Sequence, residues 1–182
     1  NLLVSGDRIP INTSSKLFDG KIGDYDDGFI VGWLMGDGWI TIRKDNNKHQ
    51  YGFIVSAKDS KVKLLSKIKS ILELKLDQIV NFTNRNGCFE TNIQSESAHK
   101  YFSQFDIPLD KSRLPGVIWN GGSEEFRRGF IDGSLSSDGS MNKSSTSNKT
   151  TIVWSSSREG FCDEFSELFG FYGIKTSIHK YS

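Results

Sequence analysis

Apolar residues recur along this chain with two alternating periods, and the order of those periods predicts its architecture. Gly28 to Met35, apolar residues interrupted by glycines, reads as a helix. After Gly38, Trp39-Ile40-Thr41-Ile42-Arg43 alternates, with Ile40 and Ile42 on one face and Trp39, Thr41 and Arg43 on the other. Lys44 to Lys48 reads as a turn and Tyr51 to Ser56 as the returning strand. A helical period follows from Asp59 or Ser60 to about Leu74, with a buried stripe of Val62, Leu65, Ile68 and Leu72 and a solvated face of Lys61, Lys63, Lys67 and Lys69. In the next hairpin Val80 and Phe82 oppose Asn81, Thr83 and Arg85, Asn86-Gly87 turns the chain, and Phe89, Thr91 and Ile93 oppose Glu90, Asn92 and Gln94. Ser95 to Phe105 reads as helix. This order predicts a four-stranded antiparallel sheet with helices on one face and long polar side chains on the other.

The first helix carries glycine at 28, 32 and 36, a spacing that strips one face of side chains. Each glycine inside a helix costs about 1 kcal/mol relative to alanine, so three in one stripe need a compensating gain, and close contact with another backbone supplies it. The partner is in the same chain. Gly129-Phe130-Ile131-Asp132-Gly133-Ser134-Leu135-Ser136-Ser137-Asp138-Gly139 repeats the pattern 101 positions later, matching Gly28 with Gly129, Gly32 with Gly133, Gly36 with Ser137 and Asp37 with Asp138. Ser123 caps this second helix, and Phe126 and Phe130 match Tyr25 and Phe29. Ser140 to Asn148 reads as a long polar turn, Thr151 to Ser155 as a return strand, and Glu159 to about Phe169 as a helix bearing Phe161, Phe165, Leu168 and Phe169. Lys175 to Tyr181 reads as the start of a further hairpin, so against the first repeat a strand and a closing helix are wanting.

Each stripe ends in Asp-Gly. The glycine suits the left-handed conformation that stops a helix, which leaves Asp37 and Asp138 at the last turns. If the two helices lie parallel, two carboxylates meet at the unfavourable end of two macrodipoles, an arrangement a hard divalent cation such as Mg²⁺ would relieve. At the other end, Asp24, Asp26 and Asp27 suit the dipole of the first helix.

Composition adds limits rather than direction. A chain of 182 residues can bury a full core as one domain or two small ones. A net charge of +1 does not itself propose a nucleic-acid partner, so any such contact must come from local placement. No apolar run approaches the roughly 18 residues of a membrane-spanning helix, and no stretch reads as an export leader. Cys88 and Cys162 lack metal-ligand spacing and read as free thiols, as expected of an intracellular, reducing location, cytoplasmic or nucleoid/nuclear.

Phe29 to Gly38 resembles the LAGLIDADG motif of homing endonucleases, and Phe130 to Gly139 resembles a more divergent second copy in which Ser136 and Ser137 depart from the usual pattern. The first copy is similar to those of endonuclease domains inserted in inteins. The resemblance implies an α+β fold of two pseudo-symmetric αββαββα repeats packed through the motif helices, with antiparallel saddle-shaped sheets, the second repeat here incomplete at the C-terminus. The expected division is an arm or linker over 1–24, a first repeat over 25–105, a linker over 106–122 carrying Pro108 and Pro115 and docked by Val117 and Trp119, and a second repeat over 123–182.

By the same resemblance the protein is a monomeric metal-dependent endonuclease that hydrolyses both strands of a long asymmetric double-stranded DNA site, with Asp37 and Asp138 binding Mg²⁺. Lys111, in the segment Lys111-Ser112-Arg113-Leu114-Pro115 that is similar to one preceding the second motif in intein endonucleases, is the third expected catalytic residue. The expected DNA-contacting residues are Arg43, Lys44, Asn81, Thr83, Arg85, Asn92 and Gln94 on the open sheet face, with Lys143 and Lys149 at the ends of the later polar turn. Arginine suits guanine edges, asparagine and glutamine suit adenine, and a two-stranded ribbon fits the major groove. The alternative is a module that binds DNA or RNA on this scaffold without cutting, as transcription regulators and maturases do.

Overall fold

The computed structural model describes residues 19–43, 48–56, 59–143 and 150–180. Most of the expected N-terminal arm, together with Lys44 and Lys149, lies outside the described residues, as do the side chains of Val62 and Lys143. Among the described residues the order is α1 (Tyr25–Met35), β1 (Gly38–Ile42), β2 (His49–Ser56), α2 (Asp59–Leu76), β3 (Thr83–Arg85), β4 (Cys88–Ile93), α3 (Glu96–Ser103), α4 (Glu124–Asp138), β5 (Ser140–Lys143), β6 (Thr150–Val153) and α5 (Glu159–Phe171).

Asp24 starts α1. Its side chain accepts from the Asp27 amide at 2.9 Å while the Asp27 carboxylate accepts from the Asp24 amide at 2.8 Å, closing a reciprocal cap. Lys75 of α2 reaches both carboxylates, at 2.6 and 2.8 Å, and Tyr101 of α3 donates to Asp27 at 2.7 Å. Burial pushes the Asp24 carboxyl up, but Lys75 and the cap outweigh it and hold the group below its ordinary value. The acids that suit the helix dipole thus also fasten α1 to two other helices. From Asp27 to Met35 every residue of α1 is buried, as its lack of a polar face requires.

α1 packs parallel to α4, backbone against backbone. A Cβ added at Gly28 would fall on the Phe126 carbonyl, and at Gly129 on the Tyr25 carbonyl; at Gly32 it would meet Phe130, and at Gly133 Phe29. The contacts are reciprocal at the 101-residue offset, so both stripes face one another. Tyr25 braces the pair from outside, its hydroxyl donating to Asp132 at 2.6 Å; burial and that carboxylate push the phenol up to about 12.

The first sheet has the order β1-β2-β4-β3, antiparallel throughout. Tyr51, Phe53 and Val55 of β2 are buried against the helices, with the Tyr51 and Phe102 rings 4.3 Å apart. In α2 the buried stripe is Ile68, Ile71, Leu72 and Leu76, the helix running two residues further than its pattern suggested. Lys67 does not simply face solvent: its ammonium lies 3.6 Å from the Phe29 ring centroid, a cation–π contact over the core.

The second sheet, among the described residues, is the hairpin β5–β6, and α5 packs Phe161, Phe165 and Leu168 inward. The two halves differ at one buried pair. Trp33 on α1 donates to the Ile54 carbonyl at 3.0 Å; its counterpart Ser134 is small, and the indole comes instead from Trp154 beyond β6, donating to the Ser134 carbonyl at 3.2 Å.

Four local expectations fail. Gly36 and Gly139 close α1 and α4 with φ of −84° and −80°, and Gly38 is likewise outside the left-handed region. What requires glycine at 38 is space, since a Cβ there would lie 2.8 Å from the Gly52 carbonyl. Ser140–Lys143 is a strand rather than turn, because it pairs with Thr150–Val153 as β1 does with β2. The strand expected from Val80 begins only at Thr83, where Glu90 offers a partner. Residues 174–180 form no strand; at the 101-residue offset they correspond to Glu73–Ile79, the last turn of α2 and the residues just after it, ahead of β3.

The helix seam makes a sharp stability contrast. Gly32→Val is expected to lower stability by about 3 kcal/mol, the upper end for overpacking, since the new atoms meet backbone. Gly170→Ala, at a helical site with nothing within 4 Å, should raise it by about 0.5 kcal/mol. Urea unfolding midpoints at constant slope measure both.

Candidate active site at the paired helix tips

The seam delivers the ends of α1 and α4 to one place. A Cβ at Gly36 would strike Ser137 Oγ and lie 2.9 Å from Asp138 Oδ2, so the Asp138 carboxylate leans over the end of α1, one residue from Asp37. Asp37 is half-buried and Asp138 exposed. The Asp37 backbone is pinned to β2, its carbonyl accepting from the Ile54 amide at 2.9 Å, and Gly139 closes α4 by donating to Leu135 at 2.9 Å. Both acids therefore sit on hydrogen-bonded backbone.

Lys111 enters from the segment joining the two halves. Its ammonium donates to the carbonyls of Gly36, at 3.1 Å, and Gly38, the residues flanking Asp37. Burial pushes this lysine down to about 8, against the opposing pull of Asp138 and Asp37. A positive φ of 53°, unfavourable by roughly 1 kcal/mol or more in a residue with a Cβ, puts the side chain there. The segment that imposes this conformation is anchored at several points. Leu114, Val117 and Ile118 are buried, Trp119 packs beside them, and Glu164 of α5 accepts from the Leu114 amide at 2.8 Å and the Trp119 indole at 3.4 Å. The fully buried Arg127 of α4 collects the Ile118 carbonyl at 2.7 Å and the Gly122 carbonyl at 2.5 Å.

Lys111 and Asp138 line a cleft of about 460 Å³ whose further walls include Trp39, Leu109, Asp110 and Arg158. Arg158 has no counterpart in the repeat pattern, since the offset sets it on Ala57, and no sequence signal marked it. The donors near Lys111 are carboxylates and backbone carbonyls, and no group of three or more His, Cys, Asp or Glu is placed to hold a metal ion by itself among the described residues. Hard oxygen donors around a seated ammonium suit a hard divalent cation better than zinc.

The open face of the first sheet adjoins this cleft through Trp39. The indole lies across Gly52, where a Cβ would collide with it. Beyond it, Arg43 and Gln94 come together at 3.4 Å, joined by Gln50, whose strand starts two residues earlier than its pattern suggested. Asn92 stands opposite Gly52, and Thr83 and Arg85 lie on the short edge strand, exposed. Asn81 is exposed but precedes that strand. Lys143 lies on β5, in the second sheet.

Two repeats joined through glycine-faced helices, each ending in an acid, define an α+β fold with a shared helix-tip site. Residues 125–182 match the family described as the LAGLIDADG-like domain, the portion holding the second helix and its acid. Among solved structures, homing endonuclease I-DmoI in complex with DNA and Mn aligns with a TM-score of 0.50 at 15% identity, over 85% of this chain and 81% of that one. I-DmoI in complex with DNA and Ca aligns at 0.52 and 16%, over 85% and 75%. Meganuclease I-SmaMI, bound to uncleavable DNA, aligns at 0.54 and 14%, over 86% and 75%. No curated protein matches the chain by sequence. Residues 125–182 are thus similar to the LAGLIDADG-like domain, and the chain has the fold of the LAGLIDADG homing endonucleases.

Lys111 gives a pH signature. In metal-free protein its Cε resonance should titrate with a midpoint near 8, against 10.5 for an ordinary lysine. Between those values the unfolded chain holds a proton that the folded one has lost. Stability relative to Lys111→Met should therefore rise with pH across that window and stay level below it.

Proposed function

We propose that the protein is a site-specific endonuclease that hydrolyses phosphodiester bonds on both strands of a long, asymmetric double-stranded DNA site with a divalent cation, Mg²⁺ by preference. The observation that carries this reading is the Lys111 ammonium seated on the Gly36 and Gly38 carbonyls beside both motif acids: a cation already occupies an all-oxygen cradle at the tip of the paired helices. The DNA and metal complexes of I-DmoI, which shares the fold, support it.

Asp37, Asp138 and the carbonyl at Gly36 would hold the cation. Once bound, it would lower the pKa of an attacking water and stabilise the leaving oxygen. Lys111 supplies positive charge to the phosphate as negative charge builds there, and its lowered affinity for a proton keeps it able to give one up near neutral pH. Arg158, on the wall of the cleft that Asp138 also lines, draws the anionic backbone into it. Trp39 shapes the passage from the cleft to the open sheet, whose Arg43, Asn92, Gln94, Thr83 and Arg85 meet base edges. Lys44, Lys143 and Lys149 complete the proposed contacts with DNA.

Selection of cleaved sites from a randomised duplex library in Mg²⁺ tests the reading. Wild type should linearise plasmids bearing selected sites. Asp37→Asn and Asp138→Asn should each lose at least about 100-fold in rate, the several kcal/mol expected of a metal ligand, while gel-shift binding in Ca²⁺ persists. Selective binding without cleavage in Mg²⁺ or Mn²⁺ would instead identify a non-cutting DNA- or RNA-binding module.

A further inference from the structure

The open face of the first sheet holds a polar chain whose direction is fixed by chemistry. Arg43 Nη1 donates to Gln94 Oε1 at 3.4 Å, Gln50 Nε2 donates to the same oxygen at 3.1 Å, and Thr41 Oγ1 donates to Gln50 Oε1 at 3.4 Å. A guanidinium has no acceptor, so Gln94 must turn its oxygen toward Arg43. Gln50 then has to present its amide nitrogen to that oxygen, which leaves its own oxygen to the Thr41 hydroxyl. Flipping Gln94 would set its N–H groups against the Arg43 and Gln50 donors, and flipping Gln50 would set its oxygen against the Gln94 oxygen.

The consequence concerns what the cluster can recognise. Gln94 Oε1 has two lone pairs and accepts two donors, so what Gln94 offers outward is its amide N–H pair. A glutamine that reads adenine needs both halves of its amide, the oxygen for N6–H and the nitrogen for N7. Here the oxygen is committed. The major-groove edge of guanine presents two acceptors, O6 and N7, and cytosine presents a donor. We infer that Arg43, Gln94 and Gln50 form a guanine-reading unit, selecting one G·C pair of the target in a fixed strand orientation. The glutamine here departs from the adenine preference that its residue type suggests. The inference rests on the proposed binding of duplex DNA by this sheet face.

The test is selection of bound sequences from a randomised duplex library in Ca²⁺ by wild type, Arg43→Ala and Gln94→Leu. The substituted side chains lie on the open face rather than in the core, and unchanged near-ultraviolet circular dichroism confirms the fold. Wild type should favour guanine about tenfold at one position, and each variant should flatten that position alone, leaving the remaining selected positions intact. Gln50→Leu, which releases half of the Gln94 oxygen, should raise the tolerance for adenine at the same place. Adenine, or no preference, at the position the variants alter would overturn the inference while leaving DNA binding intact. A wild-type protein that selects no sequence would overturn both this inference and the DNA-binding reading beneath it.

Discussion

Backbone contact between α1 and α4 is the constraint from which the rest of the structure follows. Helices with ordinary side chains between them pack with axes 8–10 Å apart. Here carbonyl oxygens of one helix occupy the volume where a Cβ of the other would stand, at four reciprocal glycines. The cost of placing glycine in helices is recovered through contact along the seam and through burial of the large residues that flank it. Phe29, Trp33, Phe126 and Phe130 are each at most 2% exposed. Because the stripes are parallel, whatever ends one helix must meet whatever ends the other.

What ends them is negative charge at the negative end of each dipole. The structure answers this locally with Lys111, held in a left-handed conformation by a segment tied to α4 and α5. Three conditions converge on its ammonium: two carbonyls to bond, two acids to attract it, and enough burial to weaken its hold on a proton. A site built in this way is costly to leave without a cation. That is the physical basis for reading it as a place where phosphate chemistry is done.

The halves are related but unequal, and the inequality is useful. In the first, a tryptophan on the helix donates to the strand; in the second, a tryptophan beyond the strand donates to the helix. The cleft likewise takes Lys111 from the joining segment and Arg158 from the residue that precedes α5. Two such halves carry different side chains, which accords with the asymmetric site proposed for the protein.

The stripe of glycines, the 101-residue repeat, the two acids and the alternation that builds the first sheet were all legible in the sequence, because each depends on spacing along a helix or strand. Lys111 was legible only by resemblance to a family. Its seat on the Gly36 and Gly38 carbonyls depends on how a linker packs, which no local pattern encodes. Tertiary structure alone decided that Gly38 and Gly139 serve close approach rather than a left-handed stop, that Ser140–Lys143 finds a strand partner, and that Arg158 lines the cleft. It also decided which way the amides of Gln50 and Gln94 point, because that is set by a neighbouring guanidinium brought from another strand. Periodicity fixes which face a residue takes; only packing fixes what that face meets.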